Sequence, residues 1–197
     1  MGSSLVRPCY HVVMLGLDNS GKTTLLYRLK HNMFTHQTRT IGFNCEKVRL
    51  FDQQIINDFK IFHFLQIYHK KSVFKLWDVG GDERTRSLWR SYCRKTDLIM
   101  FVIDSEDHER LEEAKIEVET IIKIVSRTNK VPVLILANKQ DLPDSSSRST
   151  IDRQLNLKNV EYKIIECCAV TGEGLETVFK DVKCLIKKRK ENEKYLK

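Results

Sequence analysis

Residues 16–23 read Gly-Leu-Asp-Asn-Ser-Gly-Lys-Thr, and this octet constrains the fold more than any other feature of the chain. The pattern Gly-x-x-x-x-Gly-Lys-[Ser/Thr] carries meaning as the turn between a buried strand and a helix. Both flanks are present: Val12-Val13-Met14-Leu15 before it, and Thr24-Leu25-Leu26-Tyr27-Arg28-Leu29 after it. Gly16 and Gly21 allow the sharp turn that brings successive N–H groups onto one anion. The helix that follows adds free donors and a favourable dipole. Lys22 puts a positive charge at the outer phosphates, and the Thr23 hydroxyl suits Mg²⁺. The expected phosphate loop therefore comprises Gly16, Leu17, Asp18, Asn19, Ser20, Gly21, Lys22 and Thr23, with Thr24 beside it.

A phosphate loop leaves the base open. Asn138-Lys139-Gln140-Asp141 addresses it, following the apolar run Val131-Pro-Val-Leu-Ile-Leu-Ala137, which reads as a strand buried on both faces. A carboxylate at Asp141 can accept the two N–H groups of a guanine edge, a pair that adenine lacks. Between the two motifs, Phe74-Lys-Leu-Trp-Asp78-Val-Gly-Gly81 is a strand ending in an Asp and two glycines. Asp78 can hold Mg²⁺ through water, and Gly81 can bring its N–H close to a γ-phosphate. Thr40 is a candidate second hydroxyl ligand for the metal.

A chain of 197 residues makes one domain with a substantial core. Strands are expected at 10–15, 43–49, 73–78, 97–103, 131–137 and 161–166. Helices are expected near 22–32, 84–94, 109–127, 149–156 and 174–191. This alternation predicts an α/β fold with a six-stranded, mostly parallel sheet and helices on both faces. One domain is expected over 10–191, behind a short segment at 1–9, with a basic helix end and tail at 180–197.

With these pieces in place the chain resembles the Arf and Arf-like small GTPases over most of residues 10–186. The resemblance rests on Gly-Leu-Asp-Asn-Ser-Gly-Lys-Thr-Thr (16–24), Thr-Ile-Gly-Phe-Asn (40–44), Trp-Asp-Val-Gly-Gly (77–81), Leu-Trp-Arg-Ser-Tyr (88–92), Ala-Asn-Lys-Gln-Asp-Leu-Pro (137–143) and Cys-Ala-Val-Thr-Gly-Glu-Gly-Leu (168–175). It implies that Thr40 lies in switch I and that residues 78–92 form switch II. It also implies that Ala169, beside Cys168, offers its N–H to the guanine oxygen. Phe43, Trp77 and Tyr92 match the family's aromatic effector-binding triad. The implied ligands are GTP or GDP with Mg²⁺, and the implied partners are effectors, exchange factors and activating proteins, met by a monomer.

Three departures stand out. Asp82 occupies the position where the family has the glutamine that orients the attacking water. Aspartate is shorter, has no N–H to donate and adds negative charge, so with Gly81 as the other candidate catalytic position, slow hydrolysis is expected. Arg39 replaces the proline usually found before the switch I threonine, which frees that loop. Residues 50–72 form an insertion where the family has a short hairpin. Ile55, Phe59, Phe62 and Gln66 fall at helical spacing in it, and a short helix or an extended hairpin both fit. Its aromatic character makes it a candidate partner or membrane contact.

Charge is uneven. Residues 180–197 hold eight basic residues against three acids, five of the chain's eight net positive charges. Such a cluster attracts anionic lipid; a nuclear-localisation patch is the alternative, and nucleic-acid binding ranks last without a base-stacking aromatic module. Gly2 follows Met1 as in myristoylated chains, although Val6 stands where the pattern asks for Ser or Thr. Cys9 is a second acylation candidate, since one acyl chain anchors only marginally. Six cysteines without metal spacing and no secretory signal point to a reduced cytoplasmic setting, and the basic end with the acylation candidates adds an expected peripheral membrane association. The sequence thus reads as an Arf-like GTP-binding switch in trafficking or signalling; the alternative is a GTP-binding scaffold that does not hydrolyse.

Overall fold

The computed structural model describes residues 8–34, 46–47, 62–69, 72–126, 131–158 and 160–195. Its sheet is built from β1 (Cys9–Leu15), β2 (Glu46–Lys47), β3 (Phe62–His69), β4 (Ser72–Val79), β5 (Leu98–Asp104), β6 (Val133–Asn138) and β7 (Tyr162–Glu166). The spatial order is β2-β3-β4-β1-β5-β6-β7. Strands β4, β1, β5, β6 and β7 run parallel, while β3 is antiparallel to β4.

The near-continuous apolar runs follow from burial on both faces. In β5, Ile99, Phe101 and Ile103 enter one core cluster, and Leu98, Met100 and Val102 enter the other. The first cluster is completed by α3 (Trp89–Cys93), α4 (Leu111–Ser126) and α5 (Arg148–Leu155). Helices α1 (Lys22–His31) and α6 (Val178–Tyr195) complete the second through Leu25, Leu26, Val178, Val182, Leu185 and Ile186. Each fully buried side chain of this size contributes roughly 1.5–3 kcal/mol.

Two expectations need correction. The sheet has seven strands among the described residues, not six, because residues 62–69 form a strand. Helical spacing suggested a helix as one option for the insertion; over 62–69 the extended hairpin is what forms. The pairing His69↔Ser72 leaves a two-residue connection, so β3 reaches β4 with little loop-closure entropy. Pairing β4 with the expected strand 43–49 instead needs a loop of about 20 residues, costing roughly 2 kcal/mol more. The described part of that expected strand is β2, which pairs parallel to β3. Residues 50–61 lie outside the described residues. The other correction is local: the helix expected over 84–94 is two short ones, α2 (Glu83–Arg86) and α3, broken at Ser87 and Leu88.

As far as Tyr195 the basic end belongs to α6. Lys183 and Lys190 lie over the Phe74 and Tyr10 rings, and Arg189 pairs with Glu193. Lys187 and Lys188 remain 79% and 57% exposed beside Glu191 and Glu161. Among the described residues no helix is long and apolar enough to cross a membrane.

Candidate functional site

The phosphate loop leaves β1 at its buried end and turns into α1. Gly16 has φ +143°, and a Cβ there would fall 2.3 Å from the Val102 carbonyl, so no side chain fits. Gly21, at φ +89°, caps α1, and a Cβ there would strike the Asn138 amide at 2.3 Å. Asn19 also adopts a left-handed conformation, at φ +62°. The loop closes around Lys22, whose Nζ donates to the Gly16 and Leu17 carbonyls at 2.9 and 2.7 Å. Lys22 is only 7% exposed, and burial pulls its pKa down to about 8 against the opposing charges of Asp78 and Asp18.

Strand β4 delivers Asp78 to the other side of the loop. Its Oδ2 accepts a hydrogen bond from Thr23 Oγ1 at 2.7 Å, which joins the two residues expected nearest a metal. Gly81 follows, and its backbone rests on the phosphate loop: a Cβ would lie 2.2 Å from the Gly16 oxygen and 2.5 Å from the Asp18 nitrogen. Asp82 does something the sequence reading did not anticipate. It is the N-cap of α2, and its Oδ1 accepts from the Arg84 N–H at 3.0 Å. Aspartate is among the strongest N-capping residues, so the carboxylate has a structural employment at this position.

At the base end, Asn138 ties two loops together. Its Nδ2 donates to the Ser20 carbonyl at 2.9 Å, and its Oδ1 accepts from the Ala169 N–H at 3.0 Å. Lys139 adopts φ +67°, and its Nζ meets Asp104 at 2.5 Å. Asp141 accepts from the Cys168 thiol at 3.0 Å. Asn138, Lys139, Asp141, Cys168 and Ala169, distant in sequence, are thereby gathered beside the phosphate loop.

Trp77 and Tyr92 are half-buried with ring centroids 6.1 Å apart. Cys9 is exposed. Gly2, Arg39, Thr40 and Phe43 lie outside the described residues.

Several site residues escaped the sequence reading. Arg28 on α1 donates through Nε to the Ala169 carbonyl at 3.0 Å and also binds the Val170 carbonyl, anchoring the loop that carries Ala169. Arg110 reaches Asp18 at 2.8 Å and Glu113 at 2.8 Å. For Asp18, burial raises the pKa, but the Arg110 hydrogen bond and charge outweigh it and the net shift is downward. Trp89 and Arg86 hold the Gly80-Gly81 turn. The partners are far apart along the chain, and an arginine or a tryptophan alone gives no positional signal.

A glycine cradle closed on a lysine, a Thr–Asp pair beside it, and an Asn-Lys-x-Asp loop against a parallel sheet define a small GTPase domain. The profile of the ADP-ribosylation factor family matches residues 4–186. Human ADP-ribosylation factor-like protein 4C is 43% identical over 185 residues, covering 91% of this chain and 88% of that one. Human ADP-ribosylation factor-like protein 4A is 42% identical over 186 residues, covering 92% and 85%. Among solved structures, the Arl6 BBS3 small GTPase from Trypanosoma brucei, with bound nucleotide analogue GppNp, superposes with a TM-score of 0.74. It is 26% identical and covers 92% of this chain and 99% of its own. The chain belongs to the ADP-ribosylation factor family, and it is a guanine-nucleotide-binding switch.

Proposed function

We propose that this chain cycles between GTP and GDP with Mg²⁺, hydrolyses GTP slowly, and recruits effectors at a membrane surface. In this reading the backbone of residues 16–24 and Lys22 hold the phosphates. Asn138, Lys139 and Asp141 read guanine, and the Ala169 N–H, beside Cys168, is offered to the guanine oxygen. Phe43, Trp77 and Tyr92 present the nucleotide state to effectors.

The residues present fit Mg²⁺. Among the described residues no cluster of three His, Cys, Asp or Glu side chains could hold a metal alone. The Thr23 hydroxyl and the Asp78 carboxylate, 2.7 Å apart, suit an ion which keeps several waters and binds through one or two protein groups plus phosphate oxygens. Thr23 would be a direct ligand with Thr40 as the second, and Asp78 would act through water. When bound, Mg²⁺ neutralises charge on the phosphate oxygens.

The observation that carries the slow-hydrolysis reading is the Asp82 cap. Its carboxylate is occupied by the Arg84 N–H, and no amide stands where the family orients water. The same observation favours the second reading, a GTP-bound scaffold without turnover. Releasing and identifying the nucleotide of the purified chain, then following loaded GTP over hours, separates the two. Bound GDP with measurable turnover supports the cycling switch; retained GTP without turnover supports the scaffold.

Membrane association is supported by the exposed Lys187 and Lys188 on α6, at roughly 1 kcal/mol for each basic residue close to an anionic surface. Acylation at Gly2, with Cys9 as a second site, would add the anchor. Binding to anionic but not neutral liposomes, lost on truncation at Lys187, is the expected result. A salt-sensitive nucleic-acid shift lost on the same truncation would favour nucleic-acid binding instead.

A further inference from the structure

The Gly80-Gly81 turn is held by side chains and not by a sheet ladder. Trp89 Nε1 donates to the Gly80 carbonyl at 2.8 Å, and Arg86 Nε donates to the Gly81 carbonyl at 2.8 Å. Thr85 Oγ1 donates to the next one, Asp82, also at 2.8 Å. A trans peptide points its N–H opposite its carbonyl. Fixing the Gly80 carbonyl on the Trp89 indole therefore turns the Gly81 N–H away from α3. The Gly81 backbone meanwhile rests on the phosphate loop, with room for no Cβ between them.

Neither donor is a loose surface group. Trp89 is 1% exposed and packs edge-on against Phe101, centroids 6.1 Å apart at 87°. The Arg86 guanidinium meets Glu113 at 2.7 Å and Glu117 at 3.1 Å, both on α4, and approaches Asp18 at 4.0 Å. Arg110 joins the same Glu113 to the same Asp18. One carboxylate of α4 thus holds both the turn that carries Gly81 and the loop that it faces.

We propose that Trp89 and Arg86 are positioning residues that aim the Gly81 amide at the terminal phosphate, with Glu113 setting the turn against the phosphate loop. The inference rests on the reading of Gly81 as a γ-phosphate donor.

The test compares GDP with a non-hydrolysable GTP analogue on the full chain, by association and dissociation rates of fluorescent nucleotides. Trp89→Phe removes the indole N–H and keeps an aromatic ring; Arg86→Gln removes the guanidinium donor. Each is expected to weaken the analogue about tenfold or more, as for a lost charge-assisted hydrogen bond. GDP, which lacks the phosphate that Gly81 would contact, should change less than about twofold on the same reasoning. Glu113→Gln, which touches neither carbonyl, should show the same selectivity more weakly, and it serves if Arg86→Gln does not fold. Equal weakening of both nucleotides, or none, overturns the proposal. Amide exchange in the unaltered chain separates the underlying reading: if the Gly81 N–H is protected equally with GDP and with the analogue, Gly81 is not a γ-phosphate donor, and the inference falls with it.

Discussion

Replacing Asp82 with glutamine should lower stability and raise hydrolysis in the same molecule. The stability side follows from one hydrogen bond, Arg84 N–H to Asp82 Oδ1 at 3.0 Å, at the start of a four-residue helix. Losing an N-cap costs about 0.5–2 kcal/mol, and the exposed setting of Asp82 places the loss near the lower end, about 0.5–1 kcal/mol. For a domain of this size that is a fall of about 1–4 °C in Tm. The rate side follows from an amide donor gained and a negative charge removed near the developing phosphate charge. A single preorganised donor is commonly worth about 10²-fold or more, so single-turnover hydrolysis should rise by about two orders of magnitude. Asp82→Asn is the control that separates these effects. Asparagine caps as well as aspartate and is neutral, but it is too short to orient the water, so Tm should hold and the rate should gain only a few-fold. Thermal melts of the GDP-loaded chain and single-turnover assays of the GTP-loaded chain read the two sides independently. If glutamine changes neither, the carboxylate is not the cap and not the brake. If asparagine accelerates hydrolysis as much as glutamine, charge alone is the cause and the orientation argument is wrong.

Lys22 makes the nucleotide-stripped chain pH-sensitive. Its folded pKa of about 8 lies below the 10.5 of an unperturbed lysine, so between those values the unfolded chain binds more protons. The penalty for burying its charge is fully present below pH 8 and is relieved as pH rises toward 10.5, a change of up to about 3 kcal/mol. Urea melts of wild type and Lys22→Met across that window should show wild type gaining stability relative to the variant as pH rises; a difference that does not depend on pH refutes the assignment. Asn138→Ala removes the hydrogen bonds to Ser20 and Ala169 from a side chain only 1% exposed, at about 2–4 kcal/mol by denaturant melt. It should also loosen the preference for GTP over ATP in competition. Gly16→Ala drives a Cβ into the Val102 carbonyl and should cost about 2 kcal/mol or more and abolish nucleotide retention.

Much of the candidate site was legible in the sequence because its parts are local. A phosphate loop is a backbone conformation imposed by its own residues, so Gly16, Gly21 and Lys22 announce it wherever a strand and a helix flank them. The Asn138–Asp141 loop is equally self-contained. The Asp82 cap was also legible, since an Asp before an acidic first turn is a helix-start signal. The insertion stayed open between a helix and a hairpin for another reason. Short apolar runs fit a helix or a strand equally, and the choice fell to a neighbour, β4, offering an edge only two residues away.

What the sequence determined by itself was the class: a parallel α/β sheet, a guanine-nucleotide cradle and a basic helix end. These depend on residue types within one turn or one strand, where covalent connectivity supplies the geometry. The tertiary structure alone decided how the pieces are coupled. Arg28 meets Ala169 across 141 residues, Arg110 meets Asp18 across 92, and Arg86 meets Glu117 across 31. Such contacts arise only when the sheet order is set and helices lie on known faces, because a long, charged side chain has no preferred partner until packing removes the others.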